Sequence, residues 1–149
     1  MIRLQEAPFD VGAELAALSA GRTDIGAVAS FVGLVRDHAG TQAIGAMTLE
    51  HYPGMTEKKL AEIEAEANAR WPLQASLIVH RYGRMLPGEP IVLVATASQH
   101  RAAALDACAF LIDWLKTKAP FWKLEEAGPE ARWVEARETD DRAADRWGR

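Results

Sequence analysis

Cysteine is almost missing from this chain. Among 149 residues there is one, Cys108. No disulfide can close within the chain, and no Cys-x-x-Cys redox or zinc site can form. Cys108 lies in the apolar stretch Ala107-Cys108-Ala109-Phe110-Leu111 and reads as a buried structural thiol. Histidine is sparse as well. His38, His51, His80 and His100 have no metal-ligand spacing among themselves or with acidic residues, so neither a metal nor another cofactor is expected. No apolar run approaches the ~20 residues needed to span a bilayer. The opening Met1-Ile2-Arg3-Leu4-Gln5-Glu6 lacks the apolar core of a signal peptide. No membrane partner and a cytoplasmic location are therefore expected. A basic excess is also absent. Lys and Arg total 17 against 21 Asp and Glu, a net charge of -4, which argues against nucleic acid as a partner. An anionic ligand would have to be met by a local cluster of cations.

What is present is ordinary globular composition, 49% hydrophobic and 26% charged. The length fits one domain over 1–149 and allows burial of roughly two-thirds of the unfolded surface. Asp10 to Ala20 reads as a short helix, with Asp10 as N-cap and Glu14 in the first turn. Ile25 to Val35 reads as a buried strand, and Ala43 to Tyr52 as its hairpin partner across the polar turn 36–42. Thr56 to Trp71 is the clearest helix, with Leu60, Ile63 and Ala67 at helical spacing and Pro72 to end it. Ala75 to Tyr82 and Ile91 to Ala97 read as strands around the turn 86–90. A long helix follows from about Gln99 to Lys118, with Ser98 as N-cap and a stripe of Leu105, Cys108, Ile112 and Leu115. Short strands are expected at Phe121 to Glu125 and Trp133 to Ala136, around the turn 127–129, and a terminal helix from Thr139 to Trp147. Strands paired between helices favour an α+β fold with a largely antiparallel sheet.

Three places could carry chemistry. Ser98-Gln99-His100-Arg101 opens the long helix without an acid before Asp106. A helix start already carries partial positive charge, so His100 and Arg101 there suit an external anion such as phosphate. Phe31-Val32-Gly33-Leu34-Val35-Arg36 is a small-residue strand ending in an arginine. Gly33 suggests a bulge or a close approach, and Arg36 could clamp a phosphate. The third is Leu115-Lys116-Thr117-Lys118-Ala119-Pro120-Phe121-Trp122-Lys123. Pro120 stops the helix, and Lys123 returns on a strand near Lys116. A lysine held beside another ammonium and against aromatics can act as acid, base or nucleophile near neutral pH. Each place also has a plain reading: solvated charges at the helix start, a routine arginine at a strand end, and lysines snorkelling from a packed surface.

Six blocks in order then match a known family. They are "FVGLVRDH" (31–38), "LEHYPGMTEKKLAEI" (49–63), "HRYG" (80–83), "SQHRAAA" (98–104), "LKTKAPFWKLE" (115–125) and "RWVEARE" (132–138). Over nearly its whole length the chain resembles the large, catalytic subunit of molybdopterin synthase. The resemblance implies an α/β hammerhead fold and a homodimer. It implies a small ubiquitin-like sulfur-carrier subunit on each protomer, giving a heterotetramer. The carrier's C-terminal Gly-Gly thiocarboxylate would enter a pocket of this chain. Two sulfurs would pass to cyclic pyranopterin monophosphate, making the dithiolene of molybdopterin. The family's essential lysines fall on Lys116 and Lys123. Its substrate-contacting positions fall on Leu34, Val35, Arg36, His100, Arg101, Lys116, Lys123, Leu124 and Glu125, and Arg137 matches an arginine that reaches across the dimer. Leu34 and Leu124 depart from the basic residues common there, so contacts at those positions are expected through backbone or packing. The competing classes are a non-catalytic module that binds phosphate or pterin, and a silent scaffold for a ubiquitin-like tail. A pure binder would tolerate Lys123→Arg, whereas acid–base or nucleophilic work would not.

Overall fold

The computed structural model describes residues 1–127, 130–134 and 138–148, with only the backbone described over 130–134 and 138–140. In chain order the elements are β1 (Ile2–Gln5), α1 (Val11–Ser19), β2 (Ala27–Leu34), β3 (His38–Ala39), β4 (Gln42–Ala43), β5 (Ala46–His51), α2 (Met55–Arg70), β6 (Leu73–Arg81), β7 (Gly83–Met85), β8 (Pro90–Ser98), α3 (Arg101–Lys118), β9 (Phe121–Ala127), β10 (Glu130–Val134) and α4 (Glu138–Asp145). Two four-stranded sheets form, ordered β1-β6-β8-β2 and β10-β9-β5-β7, with β3 and β4 as a separate small hairpin. Only β1 and β6 run parallel among these pairs. The architecture is α+β and largely antiparallel, as expected.

The central strands of the first sheet, β6 and β8, are covered on both faces, which is why they read as near-continuous apolar runs. Ile78, Val92 and Val94 point to α2 and α3, meeting Leu60, Ile63, Ala67, Phe110, Leu111 and Leu115. Leu77, Val79, Leu93 and Ala95 alternate to the other face, against Leu15 and Leu18 of α1. The Asp10 side chain accepts from the Ala13 N–H at 3.0 Å, capping α1 as its sequence suggests. The second sheet packs Met47, Leu49 and Met85 on Val35.

Four expectations need correction. First, β5 is not the hairpin partner of β2. β2 lies at the edge of the first sheet beside β8, and β5 lies between β9 and β7 in the second. The longer apolar β8 takes the pairing position along all of β2, while the alternation Met47/Leu49 suits the other core. Second, a short strand forms where none was expected between Tyr82 and the turn 86–90: with Gly83 at φ +88° the chain leaves the first sheet after Arg81 and enters the second as β7. Third, Ser98 is no helix cap. It ends β8, is buried, and its hydroxyl donates to the Pro72 carbonyl at 2.8 Å. The N-cap of α3 is His100, with no side-chain capping bond. Fourth, Leu105 is 59% exposed, and the buried face of α3 is Ala104, Ala107, Cys108, Phe110, Leu111 and Leu115. Cys108 is buried as expected. Its thiol contacts the Val94 carbonyl at 3.8 Å, and burial pushes its pKa up to about 11.

Candidate active site

The end of β2, the end of α3 and the start of β9 meet because of how the first sheet and α3 run. β2 and β8 are antiparallel, with Leu34 opposite Pro90 and Ala27 opposite Ser98. α3 leaves β8 at its Ser98 end and runs back along the sheet, so Lys116 arrives near Leu34. Pro120 lies just beyond α3, whose carbonyl at Leu115 accepts the Ala119 N–H at 3.3 Å. β9 then starts at Phe121 and carries Lys123 opposite Leu49. At Gly33 a Cβ would come within 2.8 Å of the Val92 side chain, and the register shifts between Gly33 and Leu34. Both readings of that glycine, a close approach and a bulge, are realised there.

Between these elements lies a cavity of about 440 Å³. Its cations are Arg36, Lys116 and Lys123, and its acid is Glu125. Three positive groups against one carboxylate leave a local excess of two, in a chain whose net charge is -4. The Lys123 ammonium lies 4.0 Å from the Glu125 carboxylate, whose side chain is only 8% exposed. Phe31, Val32, Ile44, Met47 and Ile91 supply an apolar wall. Cationic groups against an apolar wall stabilise negative charge more strongly than they would in bulk water.

Behind the cavity is a buried imidazole. His80 stacks on Phe121 with ring centroids 3.9 Å apart and planes 15° from parallel. Its Nδ1 donates to the Arg81 carbonyl at 2.8 Å, which places the ring proton on Nδ1. Burial pushes its pKa down to about 3, and Lys116 and His51 act in the same direction, against that hydrogen bond. The ring is therefore neutral at physiological pH. Lys118, two residues from Lys116, instead lies 4.7 Å over the Trp114 ring and does not line the cavity.

The expected site residues divide. Leu34, Val35, Arg36, Lys116, Lys123 and Glu125 come together around one cavity. Leu34 is 52% exposed there, whereas Val35 is buried. Leu124 does not line it. Alternation along β9 sends Leu124 to the opposite face from Lys123 and Glu125. His100 and Arg101 stand at the far end of α3. The helix has 18 residues, and Arg101 to Lys116 spans roughly 22 Å along its axis. Within one chain they do not reach this cavity. Arg137 lies outside the described residues. The apolar wall went unread in the sequence. Ile91 enters the cavity because of the bulge in pairing, for which Pro90 was the available signal, whereas Ile44 and Met47 look like any core residue. Among the described residues no three His, Cys, Asp or Glu side chains are grouped to hold a metal. No helix among them is long and apolar enough to cross a membrane.

Comparison with known proteins agrees on one family. The family model described as MoaE protein matches residues 4–118. A molybdopterin synthase catalytic subunit from Ralstonia nicotianae is 58% identical over 147 residues, covering 99% of this chain and 84% of that protein. The solved molybdopterin biosynthesis MoaE protein from Burkholderia ambifaria superposes with a TM-score of 0.86 at 54% identity, covering 100% of this chain and 98% of that one. A chain in the complex of subunits 1 and 2 of molybdopterin-converting factor from Helicobacter pylori has a TM-score of 0.77 at 21% identity, covering 91% of each, a likeness of fold alone.

Proposed function

This chain belongs to the MoaE family, and we propose that it is the catalytic subunit of a molybdopterin synthase. It takes sulfur from the C-terminal thiocarboxylate of a small ubiquitin-like carrier subunit. It transfers two sulfurs to cyclic pyranopterin monophosphate, forming the dithiolene. The observation that carries this is the meeting of Arg36, Lys116 and Lys123 around one apolar-walled cavity. Its volume, about 440 Å³, suits a small-molecule substrate. Residues 1–149 act as one domain in this reading, and the cytoplasm is the place of action.

The roles follow from charge and place. Arg36 offers a planar guanidinium to the substrate phosphate. Lys116 and Lys123 face the reacting centre. The thiocarboxylate sulfur adds to a side-chain carbon of the pterin, and that carbon's C–O bond breaks, its oxygen leaving as water or with the phosphate. Water then cleaves the thioester, releasing the carrier's carboxylate and leaving the sulfur on the pterin. Both steps develop negative charge on oxygen, which the ammonium groups stabilise and to which they can deliver a proton. The sulfur must come from a partner, because Cys108 is buried with a raised pKa and is unsuited to carry a persulfide.

His100 and Arg101 have a place in the same site if they come from a second copy. The roughly 22 Å along α3 that separates Arg101 from Lys116 within one chain is bridged when two chains pair about a two-fold axis. Arg137 is assigned to the neighbour's site in the same way. The working assembly is then a homodimer with one carrier on each protomer, a heterotetramer.

Reconstitution tests the whole. The purified chain is mixed with thiocarboxylated carrier and cyclic pyranopterin monophosphate, and dithiolene product is measured. Turnover is expected only when all three are present. Binding of carrier and pterin without product would leave a scaffold in place of an enzyme.

A further inference from the structure

On the reading of Arg36 as a ligand of the substrate phosphate, we propose that Arg81 and Glu89 are its positioning residues. They form an ion pair behind the cavity that holds the backbone from which Arg36 projects.

The β2–β8 pairing ends in an unusual way. Gly33 is opposite Val92 and Leu34 is opposite Pro90, so Ile91 is the extra residue of a bulge. Pro90 has no N–H with which to extend the ladder. The chain still grips the next residue of the other strand. The Val35 N–H donates to the Glu89 carbonyl at 3.0 Å, and the Gly88 N–H donates to the Val35 carbonyl at 2.8 Å. Both backbone groups of Val35 are thus held by the turn before β8. On the other side of Arg36, the Asp37 carbonyl accepts the Ile44 N–H at 2.7 Å. Arg36 therefore leaves from a backbone anchored before and after it. Its guanidinium has no hydrogen bond or ion pair with another described residue. An anchored arginine with an uncommitted head is prepared to receive an anion without reorganisation.

The turn is held by Glu89 and Arg81. The Glu89 N–H donates to the Leu86 carbonyl at 3.1 Å, and the Glu89 carboxylate accepts the Leu86 N–H. The Arg81 side chain, 6% exposed, lies 3.6 Å from the same carboxylate. Arg81 also donates through Nε to the Glu6 carbonyl at 3.0 Å and through Nη1 to the Pro90 carbonyl at 3.4 Å. One guanidinium at the end of β6 thus ties the segment after β1, Pro90 and the turn that clamps Val35. Sulfur transfer as proposed has no direct task for Arg81, and burying a guanidinium is costly. One of its contacts, to the Glu6 carbonyl, fixes the guanidinium in place, and the other two, to Pro90 and Glu89, lead to the backbone of Arg36.

The test uses the full chain with thiocarboxylated carrier and cyclic pyranopterin monophosphate. The Arg81→Met/Glu89→Gln double variant removes both charges together and leaves none orphaned. Its substrate affinity should fall about tenfold, with the single-turnover rate at saturating substrate within about twofold of the parent. Placed on an Arg36→Ala background, the same pair of changes should cost no further affinity, which general loosening of the fold would not predict. Glu89→Gln alone, which keeps an acceptor for the Leu86 N–H, guards against a double variant that fails to fold. It should show the same non-additivity with a loss of about threefold. An equal loss in both backgrounds, or no loss in the parent background, overturns the proposal. If Arg36→Ala weakens binding and the clamp variants do not, only this proposal falls. If Arg36→Ala leaves affinity unchanged, the reading of Arg36 falls and this proposal with it.

Discussion

At the start of α3, His100 and Arg101 stand where the free N–H groups already carry partial positive charge, with no acid in the first turn. At its end, Lys116 and Lys118 stand in the last turn, where free carbonyls favour cations. The same sign of charge is a strain at one end and a comfort at the other. The start is anomalous by local rules alone, and it suits an anion. The end is ordinary by the same rules, because lysines there need no further reason. What separates Lys116 from Lys118 is direction. Two residues turn roughly 200° about the axis, sending Lys118 over Trp114 and Lys116 into the cavity.

The largest expected effect is at the cavity end. Lys123→Ala should lower single-turnover rate by about 10³-fold, and Lys116→Ala by about 10²-fold, with fold and carrier binding retained. A Lys123→Ala chain that only raises KM would move the catalytic role elsewhere. Arg36→Ala and Arg101→Ala should each weaken pyranopterin binding by roughly 1.5–3 kcal/mol, the range for hydrogen bonds to charged groups. Titration calorimetry would read this. An unchanged affinity for Arg101→Ala would return the helix start to solvated surface.

A smaller effect concerns stability against pH. The folded-state pKa of His80, about 3, lies below its ordinary 6.5. Between those values the unfolded chain binds a proton that the folded chain refuses, so acid favours unfolding. This loss is absent above 6.5 and grows as pH falls toward 3. His80→Phe keeps a ring against Phe121 and should lose less stability over that window than the parent, read as urea midpoints at several pH values. The smallest effect is at Lys118. Lys118→Ala should leave turnover within about twofold and cost at most about 0.5–1 kcal/mol of stability through the lost contact with Trp114. A Lys118→Ala loss as large as that of Lys116→Ala would erase the distinction between the two faces of the helix end.

Legibility in the sequence followed locality. α1, α2 and the end of α3 at Lys118 were readable because caps, spacing and proline are local signals. The pairing of β5 was misjudged, because two strands adjacent in sequence joined different sheets. A nearby turn says nothing about a distant competitor such as β8. The helix cap was misplaced because Ser98 found a partner in Pro72, 26 residues away. Among site residues, the lysines and Arg36 stood out as cations in an acidic chain. Ile91, Ile44 and Met47 did not, since an apolar residue lining a cavity has no composition of its own. The division of the basic residues between two distant ends of α3 is a matter of helix length and direction, and residue type alone cannot express it.

The claim that both ends of α3 serve one kind of site, from different copies, is tested most directly by hybrid dimers. Arg101→Ala and Lys123→Ala chains are mixed in equal amounts and allowed to exchange subunits, and turnover is read at a pyranopterin concentration well below saturation, where the weakened binding of the first and the lost chemistry of the second leave each nearly inactive. Half of the dimers would then be hybrids, and each hybrid would hold one intact site of two. The account predicts recovery of about a quarter of the parent turnover. No recovery, with exchange demonstrated by native mass spectrometry, would contradict it.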